Sequence, residues 1–117
     1  MNRLMVALSL VVLTFGAAAE TYTWTGGTTM SGDWTNPSNW SSDGGVAGVP
    51  GGGDTAVISD EVTFTSGIVI TDDELVIKNT VAVAISGVVS GTGALRNDST
   101  VKLTLSGDNT FTGGMYV

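Results

Sequence analysis

Three consecutive acids, Asp72-Asp73-Glu74, and three tryptophans, Trp24, Trp34 and Trp40, are the side chains in this sequence best suited to chemistry. Carboxylate oxygens gathered at one turn are hard ligands for Ca²⁺. Asp72, Asp73 and Glu74 are therefore weak calcium candidates, more so if folding brings Asp60, Asp98 or Asp108 beside them. The simpler reading is a solvated acidic turn that discourages strands from joining edge to edge. Exposed, coplanar indoles can stack on sugar rings, which makes Trp24, Trp34 and Trp40 candidate carbohydrate-stacking residues. The competing reading is apolar: each indole buries roughly 200 Å², enough for the three together to close one end of a sheet stack.

Most other chemistry is excluded by residue type. The chain has no His and no Cys, which removes the Ser-His-Asp and Cys-His routes to an activated nucleophile, zinc sites built on those ligands, and disulfides. Gly51-Gly52-Gly53 is not followed by Lys-Ser/Thr, so it is no phosphate loop. Gly91-Thr92-Gly93 opens like a dinucleotide fingerprint, but Arg96 stands where the third glycine belongs. Asp54-Thr55-Ala56 lacks the glycine of an aspartic-protease triplet. No catalytic residue is assigned and no cofactor is expected.

The first nineteen residues read as a secretory signal peptide. Arg3 supplies a positive start, Leu4 to Phe15 an apolar run, and Gly16-Ala17-Ala18-Ala19 the small residues before a cut. The run is too short to span a bilayer as a mature helix, so no transmembrane segment is expected in the mature chain. Removing this leader leaves Lys78, Arg96 and Lys102 against eleven carboxylates, a net charge of −8. Binding to phosphate backbones needs clustered Lys and Arg, so nucleic acid is not an expected partner.

No segment after the leader has an apolar period near 3.6. Short β-branched runs follow one another instead, separated by Gly, Asp, Asn and Ser. The expected strands are 21–25, 55–59, 62–65, 68–71, 75–78, 81–85, 94–96, 101–105 and 110–112. Alternation in Val101 to Leu105 puts Lys102 and Thr104 toward solvent, and the small alternate residues Ala82 and Ala84 suit a face packed against something else. The spacing is too tight for βαβ crossovers. Acidic or polar corners recur at Ser59-Asp60-Glu61, at Asp72-Asp73-Glu74 and at Asn97-Asp98-Ser99. They read as corners of a parallel β-helix with roughly 20 to 25 residues per coil. The expected fold is all-β, the start of a right-handed parallel β-helix or solenoid; a β-sandwich is the alternative.

Two segments carry family resemblances. Ser90-Gly91-Thr92-Gly93-Ala94-Leu95, followed by Leu103-Thr104-Leu105-Ser106-Gly107-Asp108-Asn109-Thr110-Phe111-Thr112-Gly113-Gly114, resembles the autotransporter-associated β-strand repeat of bacterial secreted and surface β-solenoids. In that family a further strand follows the glycine pair, so the unit looks cut at Val117. Trp24, then Asp33-Trp34-Thr35-Asn36-Pro37-Ser38-Asn39-Trp40, then Pro50 to Asp54, resembles the opening of large exported bacterial β-helix proteins. In this segment Asp33, Asn36 and Asn39 are suited to bonding turn backbone, and Asp54 to fixing the turn into the next strand. The expected organisation is a signal peptide over 1–19, a Trp-rich capping segment over 20–54, and solenoid coils over 55–117 with the repeat from 90. The resemblance implies an exported structural scaffold, adhesin-like and without catalysis, at the outer-membrane surface or outside a bacterium. Its partners would be the remainder of the same solenoid and surface glycans. The alternative is a carbohydrate-binding module or part of a polysaccharide-acting β-helix.

Overall fold

The computed structural model describes residues 19–116. The leader expected over 1–19 lies outside them except for its last residue. The described chain is all-β with no α-helix, and no helix in it is long and apolar enough to cross a membrane. Its strands are β1 (Thr21–Trp24), β2 (Thr29–Gly32), β3 (Trp40–Ser42), β4 (Thr55–Ile58), β5 (Val62–Phe64) and β6 (Ile68–Val69). They continue as β7 (Glu74–Asn79), β8 (Val83–Ile85), β9 (Val89–Ser90), β10 (Ala94–Asn97), β11 (Leu103–Leu105) and β12 (Met115–Tyr116). One 3₁₀ turn, Pro37–Asn39, precedes β3.

Three sheets share these strands. The largest runs β12-β10-β7-β4-β1-β3, the second β11-β8-β5-β2, and the third pairs β9 with β6. Every pairing is parallel except β1 with β3 at one edge of the largest sheet. The registers share one step. Leu75 faces Leu95, Leu95 faces Met115 and Val83 faces Leu103, each 20 residues on; Val62 faces Val83 and Ile68 faces Val89, each 21 on. The first step is longer, Thr21 facing Thr55 and Thr29 facing Val62, because the 3₁₀ turn, β3 and their loops intervene.

Alternation along each short strand explains the core. In β4 and β5 the side chains of Ala56, Ile58, Val62 and Phe64 are buried, while Thr55, Val57 and Thr63 between them are partly exposed. Register then stacks like on like. Val62 lies beside Val83 and Phe64 beside Ile85, all buried, and Leu103 and Leu105 continue both rows half-buried. Burying a side chain of this size contributes about 1.5–3 kcal/mol, so a strand of three residues holds only through its neighbours.

Corners are where adjacent layers come closest. Gly87 lies over Ser66, Gly107 over Gly87, and Gly113 over Gly93. A β-carbon at Gly87 would collide with the carbonyl oxygen of Ser66, and one at Gly93 with that of Asp73. These glycines are required by backbone approach, not by a left-handed conformation.

The strand expectations hold in outline, with differences at the margins. The span expected at 110–112 is not a strand, although the Thr110 and Thr112 N–H groups donate to Val89 O at 2.8 Å and Gly91 O at 3.0 Å. β2, β3, β9 and β12 carry no strand expectation of their own; they are two to four residues long, too short to alternate visibly. Lys102 and Thr104 do face solvent. Ala82 and Ala84 are not packed against another element among the described residues and instead form part of an open groove.

The corner geometry yields a paired prediction. Gly87→Ala should cost about 1–3 kcal/mol through overpacking against Ser66. Gly67→Ala, whose added β-carbon would sit 3.4 Å from Val88 O, should be nearly neutral. Thermal unfolding of the two variants followed by circular dichroism checks the contrast; equal losses would remove the layer-contact explanation.

Candidate functional site

The three indoles converge inside the first layer. Trp24 ends β1 and Trp40 begins β3, and antiparallel pairing sets them opposite one another. Trp34 reaches the same place from the loop after β2, where its backbone N–H donates to Ser66 Oγ at 2.8 Å. All three pack on Phe64: the Trp24 and Trp34 rings meet it edge-on at 4.9 Å, and the Trp40 ring lies nearly parallel to it at 6.1 Å. Edge-to-face contacts of this kind add about 0.5–1.5 kcal/mol each beyond burial. Gly32, in register with Phe64, leaves room for the cluster, since a β-carbon there would come within 2.7 Å of Val62 Cγ2 and 3.2 Å of the Phe64 ring.

Every indole N–H is used internally. Trp24 donates to Gly27 O at 2.8 Å, Trp34 to Pro50 O at 3.0 Å and Trp40 to Trp34 O at 3.0 Å. The rings are 4%, 1% and 7% exposed, and Trp24 and Trp34 stand 73° and 64° from the plane of Trp40. The requirement for sugar stacking, open coplanar faces, is not met at Trp24, Trp34 or Trp40. The indoles instead face inward, packed on Phe64 and on one another.

The polar residues around the indoles hold turns. Asp33 Oδ1 accepts the Thr35 N–H at 2.9 Å and its hydroxyl at 2.6 Å. The hydroxyl first and then the backbone N–H hold the Asp33 carboxyl below its ordinary range. Asn36 Oδ1 accepts from Ser38 N at 3.0 Å to start the 3₁₀ turn, and Asn39 Nδ2 donates to Asp33 O at 3.1 Å. Asp54 ties two segments at the entry to β4, accepting the Glu20 N–H at 3.1 Å and the Gly51 N–H at 2.9 Å.

The acidic triplet does not converge as a cation site. Asp72 Oδ1 accepts the Thr92 hydroxyl at 3.2 Å, Asp73 Oδ1 accepts the Glu74 N–H at 2.8 Å, and Glu74 Oε1 holds Arg96 Nε at 2.9 Å. The Arg96 guanidinium is raised in pKa by that hydrogen bond and charge pair. Asp60 lies between β4 and β5, Asp98 after β10 and Asp108 after β11, whereas Asp72 precedes β7. These are different corners, so stacking brings Thr92 and Arg96, not further acids, beside Asp72, Asp73 and Glu74. Among the described residues no three acids are grouped to hold a metal ion. Asp72 is also the one described non-glycine residue with a left-handed backbone, φ 67°. Its N–H is bonded to Thr92 Oγ1 at 2.9 Å, which stabilises that turn.

The sequence reading missed a groove on the outer face of the β11-β8-β5-β2 sheet. It measures about 620 Å³ and crosses all four strands, with Ala82, Ala84, Thr63 and Thr104 among its lining residues. Met30, 84% exposed, stands beside the irregular β2–β5 pairing, and Glu61 and Lys102 are the charged lining residues. The alternating small residues Ala82 and Ala84 were its one sequence signal. The lining has no aromatic ring. It could hold a ligand by shape and hydroxyl contact.

Two measurements test these placements. Tryptophan emission should be blue-shifted, and soluble glycans should leave it unchanged; a glycan-dependent shift would restore the stacking idea. Burial first, and then the Asp54 and Glu20 carboxylates, raise the Tyr22 phenol above its ordinary 10.0. A raised folded value means the contribution is fully present below about pH 10 and is lost as pH rises through the folded value. Urea unfolding across the alkaline range should therefore show stability falling with pH in the native chain and falling less in Tyr22→Phe.

No family model, curated protein or solved structure matches this chain.

Proposed function

We propose that this chain is the capped start of a right-handed parallel β-helix, exported by the leader at 1–19, that serves as a structural scaffold at a bacterial surface. The observation that carries the reading is the common 20–21-residue register step in three sheets. Parallel returns to three sheets at 20–21 residues from β4 onward are what a coiling chain would give, and crossover connections between parallel strands favour the right hand. The antiparallel β3 and the buried indoles support a cap, since the first layer of a solenoid has no preceding layer to cover its apolar end. Export rests on the residue layout of the leader, and the autotransporter-associated repeat on the sequence resemblance.

In this reading function is mechanical. Each layer adds about 4.8 Å of length and carries its neighbour's unpaired backbone groups. Asp54 is engaged by Glu20 and Gly51, and Glu74 by Arg96, so these carboxylates hold turns and neighbouring strands in place. Catalysis is not part of the proposal.

Duplication tests it. Repeating residues 74–93 directly after Gly93 preserves the step between Glu74 and Ala94. Near-additive stability in stacked repeats means the extended chain should melt at a higher temperature. Repeating only residues 74–83 shifts the register by half a coil and should lower it. If both insertions destabilise alike, the coil assignment fails. Protease treatment of intact expressing cells reads location separately, with cleavage expected at the surface.

A further inference from the structure

Leader removal does more than shorten the chain: we propose that it creates a cation at Glu20 which Asp54 receives, so that export processing latches the cap. The main-chain nitrogen of Glu20 donates to Asp54 Oδ1 at 3.1 Å. In the uncut chain that nitrogen is a neutral amide. Hydrolysis of the Ala19–Glu20 bond adds one water, leaving a carboxylate on Ala19 and an ammonium on Glu20. The contact with Asp54 then joins opposite charges. The cap is hydrogen-bonded there while the leader is attached and ion-paired once it has gone. This inference rests on the leader reading of residues 1–19.

The receiving carboxylate is already fixed. Asp54 Oδ2 accepts the Gly51 N–H at 2.9 Å, and the Asp54 N–H donates to Gly51 O at 3.0 Å, so the side chain is held within its own turn. Glu20 is held as well, its carbonyl accepting the Thr55 N–H at 2.9 Å where the β1–β4 pairing begins. Both residues are half-buried, and Ala19 is exposed. An ammonium at Glu20 thus lies on its partner as soon as it forms.

Positive charge is what this region otherwise lacks. Residues 20–54 carry Glu20, Asp33, Asp43 and Asp54 and no Lys or Arg. The titratable groups around the Glu20 nitrogen are all acids. They are Asp54 before β4, the Glu20 carboxylate, which accepts the Gly44 N–H at 3.1 Å, and Tyr22 on β1. Asp43 follows β3, and Asp73 lies beside Gly53 in the next layer. Burial first, then the Asp54 and Glu20 charges, raise the Tyr22 phenol, so the two carboxylates share one neighbourhood. The ion pairs Lys78–Asp98 and Arg96–Glu74 lie elsewhere. A carboxylate beside an amine favours its charged form, which lifts the folded pKa above the ordinary α-amino value of about 7.7–8.0. The added stability is whole below that ordinary value and is lost as pH rises through the folded one.

N-terminal sequencing of the exported protein comes first. A start at Glu20 sustains the leader reading; a start elsewhere overturns that reading and this inference with it. The chain starting at Glu20 is then compared with one in which a short Gly-Ser segment replaces residues 1–18, keeping the Ala19–Glu20 bond. Urea unfolding of both runs from about pH 6 to about pH 9.5, spanning the amine and stopping short of the phenol. The cut chain should have an about two- to fivefold larger folding constant at the acid end, and the margin should close as pH rises. No margin, or one indifferent to pH, overturns the inference and leaves the leader reading standing. Asp54→Asn should remove the pH-dependent margin, whereas Asp43→Asn should keep it. A margin that survives Asp54→Asn reflects general attraction to an acidic chain and sinks the latch. Should Asp54→Asn fail to fold, carbon-13 resonance of the unsubstituted cut chain decides. The Asp54 carboxyl carbon should shift as the Glu20 amine titrates, and its indifference to that titration overturns the pairing.

Discussion

Backbone hydrogen bonding between layers is the constraint on which this structure depends. Each strand of two to six residues is too short to persist alone, and from β4 onward its N–H and C=O groups are satisfied by a strand 20 or 21 residues away in sequence. Parallel ladders of this kind make one demand on the sequence. Residues one step apart must fit the same place, apolar on apolar at Leu75 and Leu95, and glycine on glycine at Gly93 and Gly113. The interior has no second source of order, because there is no disulfide and the described chain has no helix to lay across a sheet.

The end of the stack requires a different solution. Layers further along are filled by aliphatic rows, but among the described residues no row lies before the first layer. There Trp24, Trp34, Trp40 and Phe64 form one aromatic cluster whose three indole N–H groups all reach backbone carbonyls. That satisfaction matters as much as the area, since an unpaired buried donor would cost about 1–3 kcal/mol and undo much of the gain from burial. Asp33, Asn36 and Asn39 then hold the loop that delivers Trp34 and Trp40.

Much of this was legible in the residues. Runs such as Thr55-Ala56-Val57-Ile58 alternate clearly enough to read as strands, and Asp54 reads correctly as the anchor of the turn before them. The corners were less legible. A string such as Asp72-Asp73-Glu74 announces a turn but not which two sheets it joins, so Asp60 and Asp98 look like its stacking partners when Thr92 and Arg96 are the neighbours it meets. Met30 and Gly32 hid β2, because a bulged strand does not keep the alternation that marks the others. The indoles show the same limit. Three tryptophans near one another are compatible with a flat exposed surface and with a filled interior, and only their angles and exposure distinguish the two.

The unequal steps have a consequence for how such a chain tolerates change in length. Between β4 and β10 every return is 20 or 21 residues, and a single inserted residue would rotate a whole strand's side chains to the wrong face. Between β1 and β4 the return takes 34 residues, and the surplus lies in the loops around the 3₁₀ turn and β3, where Asp43 to Gly45 are exposed. The molecule thus keeps a rigid ruler and a slack tether in one chain. Foreign peptide spliced at Asp43–Gly45 would lengthen only the tether, making that bend the natural place to attach cargo without disturbing the count.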